Sequence, residues 1–407
     1  DEQTPVEVAL TPAAIRLEEV PVFATEEVIV QGGIANLIEE TRNSGVVLNL
    51  IGSEQINRTG DSTAAGALAR VTGLNVVGGR FVYVRGMGER YSSSLLNDAR
   101  LPSPEPDRRV VPLDLFPASV IESIAVQKSY SPELSGDFGG GAISIRSIGI
   151  PDDRYQRRLR TNIGASLGWN LGTTFTERLM SQGGPVDFLG IDVGTRGLPE
   201  GLDEVDYAEE EISPITGLPA EGSLTQEQIN ELGRQLPNTW TAQNTLIPLN
   251  GSLSASVRDK IELGDEASLG FTIAGLYSNS WSYAEGQLNS YQATSEGFAS
   301  YNSYDTRTTS QDIDVGALMD IKYALNSTFE IESTSLLVRT TDNVYEQLEG
   351  FLTDDNIDVR LEESTWAEQM LLSQGLAVRT EFAQMNQSAL EGQYTFSLAQ
   401  RYEPDSR

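Results

Sequence analysis

From about residue 157 onwards, apolar residues recur at every second position. In residues 312–325, DIDVGALMDIKYAL, the odd positions from Ile313 to Tyr323 are apolar and most even positions are charged or small. Alternation with a period of two is typical of β-strands with one apolar and one polar face. The pattern predicts seven such strands, near residues 158–171, 247–262, 267–283, 310–324, 327–344, 365–383 and 388–403.

The connections between these strands alternate between short and long. Tight turns such as LGDEA and ALNS follow some strands, whereas residues 172–246, 284–309 and 345–364 are predicted to be long loops. Transmembrane β-barrels have short turns at one end and long extracellular loops at the other. The alternation therefore favours a transmembrane antiparallel β-barrel over a large soluble β-domain.

The part before this region has a different pattern. From residue 33 to about 152, short strand-like runs (VVLNLI, RFVYVRG, IESIAVQ and AISIRS) are separated by turns and small helical stretches. The clearest helix is predicted in residues 61–74, with Asp61 or Ser62 as its N-cap and Gly73 at its end. We therefore expect an α+β domain at 33–152, followed by β-barrel strands at 153–407.

Composition narrows the chemistry. The chain has 407 residues, with 28 basic and 59 acidic side chains, and its net charge of −31 argues against nucleic-acid binding. It contains no cysteine and no histidine, which excludes thiolate and imidazole chemistry. No apolar run is long enough for a membrane helix. No charged n-region with an apolar h-region follows Asp1, so we expect any signal peptide to be already removed. We expect no catalytic residue, no metal site and no cofactor.

Two glycine-rich stretches resemble phosphate-binding motifs but lack their key residues. In GRFVYVRGMGERYSSS, residues 79–94, Tyr91 occupies the position of the third glycine of a dinucleotide fingerprint. In GDFGGGAISIRS, Ala142 and Ile143 follow Gly141 where a P-loop has Lys and Ser or Thr. Neither stretch supports a phosphate site.

Together, these stretches resemble the plug of TonB-dependent outer-membrane receptors. Four elements follow one another in the family's order: VRG at 84–86, LLND at 95–98, PASVIESIAV at 117–126 and GGAISI at 140–145. The detailed sequence of these motifs, with RNSGVV upstream at residues 42–47, is most similar to the branch found in the Xanthomonas and Caulobacter groups. Ala99 departs from the family pattern, because a glycine usually follows the aspartate, and so does Gln127-Lys128-Ser129.

The resemblance implies roles for individual plug residues. Arg85, Glu122 and Arg146 match positions where the family places charges that pair with the barrel wall. The glycines implied to form tight plug turns are Gly86, Gly88, Gly139, Gly140 and Gly141. The resemblance also implies a lumen filled by the plug, in a barrel of about 22 strands.

A candidate TonB box precedes the plug. Residues 18–22 (EEVPV) and 26–30 (EEVIV) are near-copies of one short, β-prone pattern. The second copy is favoured because Pro21 removes an amide from the first. The box at 25–32 therefore presents Glu26, Glu27, Val28, Ile29 and Val30 to TonB. We expect residues 1–24 to form a periplasmic segment, either a segment of its own or the tail of a preceding small domain.

The loops contain weaker signals. The acidic run DEVDYAEEE at 203–211 is interpreted as solvated rather than as a calcium loop, and SLTQEQINELGRQL predicts a short helix with a Thr225–Gln228 capping box. Aromatic residues around 281–304 suit either a membrane-boundary girdle, which is slightly favoured, or stacking on a flat ligand. This set comprises Trp281, Tyr283, Tyr291, Tyr301 and Tyr304.

The resemblance implies TonB-dependent uptake of a siderophore, cobalamin, carbohydrate or peptide across the bacterial outer membrane. Expected partners are TonB with ExbB and ExbD, outer-membrane lipids, an unidentified ligand and an accessory lipoprotein; the N-terminus would lie in the periplasm. One alternative is a plugged barrel with a structural or assembly role, and another is a secreted glycan-binding or glycan-cleaving β-protein. Seven strands are too few to enclose a plug, so we expect the chain to be part of a longer protein.

Overall fold

The computed structural model describes residues 45–59, 63–87, 91–105, 108, 111–132, 134, 136, 138–149, 159–197, 226–235, 241–264, 266–295, 297–353, 356–382 and 388–406. The predicted N-terminal segment, residues 1–24, and the candidate TonB box, residues 25–32, lie outside these ranges. Among the described residues, no helix is both long and apolar enough to cross a membrane.

The first part of the chain is a small α+β domain. Its elements are β1 (Leu48–Gly52), α1 (Ser53–Thr59), α2 (Ala64–Leu68), β2 (Leu74–Val77), β3 (Phe81–Val84), β4 (Ser92–Leu96), β5 (Ala99–Arg100), β6 (Ile121–Gln127) and β7 (Gly141–Ser147). Short 3₁₀ turns at Leu113–Leu115 and Ala118–Val120 precede β6. Five strands form a sheet in the order β1-β6-β7-β4-β5, and β2 pairs with β3.

The packing of this domain follows from its apolar runs. Ile121, Ile124 and Val126 of β6 and Ile143 and Ile145 of β7 are buried, because both strands lie inside the domain. Their neighbours β1 and β4 are shorter and flank them in the sheet. The four strand-like runs read from the sequence therefore all occur as strands.

The predicted helix is shorter than expected. It begins after Thr63, whose hydroxyl accepts a hydrogen bond from the Gly66 amide, and it ends at Leu68. The predictions of Asp61 or Ser62 as the N-cap and of Gly73 as the helix end were therefore wrong. Gly73 instead has φ +80° in the turn before β2, where its carbonyl accepts from the Arg85 amide. A backbone with positive φ strains other residues, which explains the glycine there.

The second part contains a seven-stranded antiparallel sheet. Its strands are β8 (Arg160–Gly168), β11 (Asn250–Leu263), β12 (Ala267–Thr294), β13 (Gly297–Asn326), β14 (Phe329–Leu352), β15 (Ile357–Phe382) and β16 (Ser388–Ser406), each paired with the next in the chain. Between β8 and β11 lie β9 (Glu177–Met180), a 3₁₀ turn (Asp187–Leu189), α3 (Gln226–Gln235) and β10 (Gln243–Leu246), and β9 pairs with β10. The seven predicted strands are confirmed, as is the short helix, although its capping residue Thr225 lies outside the described residues.

The two faces of this sheet differ as the alternation predicts. We call the face in contact with residues 45–149 the inner face and the opposite one the outer face. Asp314 and Asp320 of β13 lie on the inner face, whereas Met319, Ile321 and Tyr323 are exposed on the outer face. Exposed apolar side chains of the other strands continue this outer band: Ile163, Leu167, Leu253, Ile273, Leu337, Leu376, Tyr394, Phe396 and Leu398.

The predicted long loops at 284–309 and 345–364 are wrong. These residues continue as paired strands: the pairing of β12 with β13 extends to Thr294 and Gly297, and the pairing of β14 with β15 extends to Leu352 and Ile357. Serine, threonine, asparagine and tyrosine dominate the first segment, so its strands lack the apolar alternation of the lower part. At about 3.3 Å per residue, β12 is roughly 90 Å long.

Candidate functional site

The small α+β domain packs against the inner face of the sheet, and this interface is the candidate functional site. Apolar residues of the sheet join the core of the small domain: Ala274, Leu318, Leu336, Val338 and Leu371. Around this apolar contact, polar groups of the two parts form hydrogen bonds and ion pairs. The two parts are therefore held together by a mixed interface rather than by a continuous apolar one.

Arg80 connects the small domain to the sheet. It precedes β3, and its Nε donates to Oδ2 of Asp114 at 2.8 Å, within the small domain. Its Nη2 donates to Oδ2 of Asp342 on β14 at 3.0 Å. The Arg80 carbonyl also accepts from the Leu113 amide, which fixes Asp114 beside it. One guanidinium is thus hydrogen-bonded to one carboxylate on each side of the interface.

Burial shifts the titration of this group. Burial by itself lowers the pKa of Arg80, but the carboxylates of Asp342 and Asp114 outweigh it, so the pKa lies above its ordinary value. Burial raises the pKa of the Asp114 carboxyl, and Arg80 offsets this only in part. The second oxygen of that carboxyl, Oδ1, is buried without a hydrogen-bond partner, which agrees with a penalty on its charged form.

A second ion pair connects Glu105 to the last two strands. Arg401 of β16 donates through Nη1 to both oxygens of Glu105, at 3.0 and 2.9 Å. Gln369 of β15 donates to Oε1 of the same carboxylate at 2.7 Å. Three donor contacts on one carboxylate hold the segment after β5 against the wall of the sheet.

Near the short turns of the sheet, the contacts are to the backbone of the small domain. Thr272 of β12 donates to the carbonyl of Gly149 at 3.2 Å, and Gln393 of β16 donates to the carbonyl of Asn97 at 2.9 Å. Between them lies a polar cavity of about 300 Å³. Its charged lining residues come from both parts: Asp98, Glu122, Arg146, Asp320, Lys322, Glu332 and Glu391.

Two of the three predicted plug charges lie at this interface. Glu122 and Arg146 line the cavity, and the Glu122 carboxylate interacts electrostatically with Arg258 of β11. Arg85 is different, because its side chain is exposed and makes no ion pair among the described residues. Burial and then the Arg85 guanidinium lower the pKa of Lys128, which places Arg85 beside another cation of the small domain. Its pairing with the wall stays a prediction.

The sequence analysis missed Arg80 and Glu105. Arg80 directly precedes the apolar run FVYV, and Glu105 lies in the proline-containing segment LPSPEP. Their partners are 262 and 296 positions away, so no local pattern identifies them. The only signal is indirect: a charged residue at the start of a buried strand requires a partner.

The predicted turn glycines have two different roles. Arg85 and Gly86 have φ of +56° and +68°, and the Met87 amide donates to the Val84 carbonyl across them, so Gly86 does form a tight turn. Gly139, Gly140 and Gly141 do not have positive φ, and Gly141 is the first residue of β7, so the role of these glycines in tight turns stays a prediction. A Cβ on Gly141 would lie 2.6 Å from Cγ1 of Val84, so this glycine allows close packing instead. Gly88 lies outside the described residues.

The aromatic cluster does not form one surface. Trp281 is buried with Met180, Ile247 and Tyr345, and the Arg178 guanidinium lies 3.6 Å from the ring centre of Tyr283. Trp281 and Tyr283 therefore pack against the β9–β10 region. Neither a membrane-boundary girdle nor stacking on a flat ligand describes these two residues. Tyr291, Tyr301 and Tyr304 lie on the long β12–β13 hairpin. The acidic run at 203–211 lies outside the described residues. Among the described residues, no cluster of three or more Asp and Glu side chains is placed to hold a metal ion.

The small domain matches a known family model. Residues 40–143 match the model of the TonB-dependent Receptor Plug Domain. No curated protein matches the chain. The assignment to the Xanthomonas and Caulobacter branch is untested and stays a prediction.

Solved structures with some likeness to the chain include three receptors. The siderophore receptor PirA from Pseudomonas aeruginosa is 11% identical, covers 88% of this chain and 57% of its own, and has a TM-score of 0.28. A mutant of the ferric enterobactin receptor PfeA from the same organism is 10% identical. The match covers 89% of this chain and 55% of the receptor, with a TM-score of 0.31. The hemophore receptor HasR from Serratia marcescens, in complex with its hemophore HasA and heme, is 8% identical. The match covers 88% of this chain and 60% of the receptor, with a TM-score of 0.27. The chain thus spans somewhat more than half the length of these three proteins.

Proposed function

We propose that the chain takes up a ligand across the outer membrane by movement of its plug domain. The proposal proceeds from its membership of the TonB-dependent receptors, to which it belongs through the plug domain at residues 40–143. The seven-stranded sheet is part of the wall of a transmembrane antiparallel β-barrel. We propose a complete wall of about 22 strands, which is wide enough to enclose a plug. The observation that carries the proposal is the attachment of the plug to the polar inner face through separate ion pairs and hydrogen bonds.

Such an interface suits a plug that must move. Arg80 and Asp342 each keep only about a fifth of the side chain exposed, and the cost of removing water from both charges offsets part of their attraction, so we expect a net contribution of about 1 kcal/mol. When the plug moves away, Arg80 keeps Asp114 as its partner, so no bare guanidinium is left in the plug. The separate contacts break in steps, and no covalent chemistry is required.

The energy for this movement would enter through the N-terminal segment. Residues 26–30 (EEVIV) would pair with TonB as an added strand in the periplasm, and ExbB and ExbD would supply the force from the inner membrane. The plug begins about ten residues after this box, so a pull on the segment acts directly on the plug. This role for Glu26, Glu27, Val28, Ile29 and Val30 rests on sequence alone.

The ligand would bind at the end of the barrel opposite the short turns. The β12–β13 and β14–β15 hairpins extend beyond the level of the plug contacts and carry exposed side chains such as Phe298 and Leu361. We expect a scarce solute, namely a siderophore, cobalamin, a carbohydrate or a peptide. An accessory lipoprotein would be an additional partner on the same side.

The proposal is tested by deletion of residues 25–32 in the complete receptor. Binding of the purified periplasmic domain of TonB is measured on the detergent-solubilised protein. Accumulation of a ferric siderophore, cobalamin, a maltooligosaccharide and a dipeptide is measured in cells. We expect the deletion to abolish TonB binding and the energy-dependent accumulation of one ligand class, while the amount of receptor in the outer membrane is unchanged.

A matched deletion of residues 17–24 removes the other EEV copy. It should leave TonB binding intact, because the favoured box is still present. If both deletions keep TonB binding, the box assignment is wrong. If no ligand class depends on the receptor even in its intact form, transport itself is refuted.

A further inference from the structure

A segment between β9 and α3 crosses the outer face of the barrel wall. We call residues 187–196 the belt. The Phe188 carbonyl accepts a hydrogen bond from the hydroxyl of Tyr277 on β12. The Gly190 carbonyl accepts from Thr341 on β14 at 2.8 Å, and the Asp192 amide donates to Glu368 on β15 at 2.7 Å. Within five residues, the belt therefore passes from β12 to β15, across the direction of the strands.

The belt lies where the outer face changes from apolar to polar. Below it, toward the short turns, the outer residues of β13 from Val315 to Leu325 are apolar. At and above its level, the outer face carries polar side chains such as Thr341, Asn343 and Gln311 beside aromatic ones, and these three polar side chains are buried. Arg339 donates both to the Gly190 carbonyl and to Glu368. The belt thus supplies partners to polar groups that would otherwise face outward.

The charged side chains of the belt point toward the wall. Arg196 is 2% exposed and is paired with Asp187 at 2.5 Å and with Asp192 at 3.4 Å. The Asp192 side chain is completely buried. The Arg196 guanidinium also lies 3.9 Å from the ring centre of Trp366 on β15. A surface segment in water normally exposes its charges, so this arrangement is reversed.

The apolar side chains of the belt point away from the wall. Phe188 is 54% and Val193 59% exposed, and Leu189 and Ile191 are exposed as well. We call these four side chains the strip. The belt carries them at the level of Val315 and Ile313, since it contacts Tyr277 and Thr341, and so at the upper end of the exposed apolar band. From Val315 to Leu325, this band spans about 33 Å along the strand, or roughly 25 Å across a membrane at the usual tilt. The strip therefore continues the lipid-facing surface at its upper border.

We propose that the belt is inserted into the outer leaflet of the membrane, with Phe188, Leu189, Ile191 and Val193 among the lipid acyl chains. Its inward charges and its backbone groups hide the polar upper part of the wall from lipid. The partner is lipid because the strip is continuous with the barrel's own lipid-facing band. Apolar side chains in contact with acyl chains stabilise this position through burial, as in other interfacial segments.

The test is a depth measurement with nitroxide labels. The chain contains no cysteine, so Val193→Cys and, separately, Phe188→Cys each give a single labelling site. The complete receptor is reconstituted into vesicles of outer-membrane lipid, and collision of the label with oxygen and with a water-soluble nickel chelate is compared. Met319→Cys marks the lipid band, and Phe298→Cys, 84% exposed on the β12–β13 hairpin, marks water.

We expect labels at Val193 and Phe188 to resemble Met319, with an oxygen-to-nickel ratio several-fold above that of Phe298. Ratios like that of Phe298 would refute the proposal, because the belt would then lie in water. Protection from both reagents would also refute it, because a protein would then cover the strip. A nickel-accessible label at Met319 would refute the membrane placement of the wall itself, which separates failure of the belt from failure of the proposed function.

Discussion

Arg80 and Asp342 are 262 positions apart in the chain and are joined by a hydrogen-bonded ion pair of 3.0 Å. This contact connects the β2–β3 hairpin of the plug to strand β14 of the wall. Asp114, the other partner of Arg80, belongs to the plug itself. The pair therefore offers a way to weaken the attachment of the plug without unpairing its arginine.

Asp342→Asn should loosen the plug. The substitution removes the charge on the wall but leaves Arg80 paired with Asp114, so we expect the plug to lose about 1 kcal/mol of stability. A buried reporter thiol, Val82→Cys, measures this as faster modification at a given urea concentration. Asp358→Asn, at an exposed position of β15, is the matched control. Equal thiol protection in both variants would contradict the role of the pair.

The pH dependence of plug stability should include a contribution from Asp114. Burial raises the pKa of its carboxyl, with a smaller opposite effect of Arg80. The folded plug therefore binds this proton more tightly than the unfolded one. The resulting stabilisation is fully present below the unfolded pKa of about 3.9 and is lost as the pH rises through the folded value.

Asp114→Asn should remove this contribution. With the Val82→Cys reporter, the urea midpoint should fall less steeply with rising pH in this variant than in the parent protein. The Asp358→Asn control should keep the parent slope. Identical slopes in all three proteins would show that Asp114 does not titrate differently on folding.

Gly141→Ala should destabilise the plug. The added Cβ would lie 2.6, 2.7 and 2.8 Å from Cγ1, Cγ2 and Cβ of Val84, so β3 and β7 would have to move apart. We expect a loss of about 1–3 kcal/mol, as for other overpacked cores. Gly149→Ala is the control, because its Cβ would meet no atom within 4 Å. A reporter thiol equally protected in both would disprove the close-packing role.

Gly190→Val should release the belt. This residue has φ +69°, and a Cβ there would lie 2.7 Å from Oγ1 of Thr341. Detachment would expose Arg196, so we expect trypsin to cleave after it in the variant but not in the parent protein. Gly194→Val adds comparable backbone strain at φ +88° with open space around the Cβ, and should stay resistant. Cleavage of neither variant would show that the belt tolerates the overlap.

The sequence predicts repeated features of this fold better than single contacts. Alternation from Ile313 to Tyr323 identifies strand β13 and its two faces, because every second side chain of a strand shares one environment. Alternation of apolar residues does not identify the strand at residues 297–309, because Ser, Thr, Asn and Tyr occur there and are compatible with either a loop or a β-hairpin. Strand pairing there is decided by the neighbouring hairpins rather than by burial.

Single contacts depend on positions that are distant in the chain. The resemblance implies a wall contact for Arg85, because it matches a position where the family places a charge, yet Arg80, five positions earlier, is the residue that reaches Asp342. The belt was missed for a related reason. Its run DFLGIDV has no regular period, and its inward charges become meaningful only when Thr341, Arg339 and Glu368 are placed opposite them.

In the proposed movement of the plug, the double pairing of Arg80 would also determine which side becomes charged. Asp114 travels with the plug, so the arginine leaves the wall already neutralised, and Asp342 stays behind on the inner face near Asp312 and Asp314. An opened passage would therefore be lined at this level by uncompensated carboxylates. Its electrostatic potential would attract cations and slow anions, which makes the passage a charge filter only while it is open.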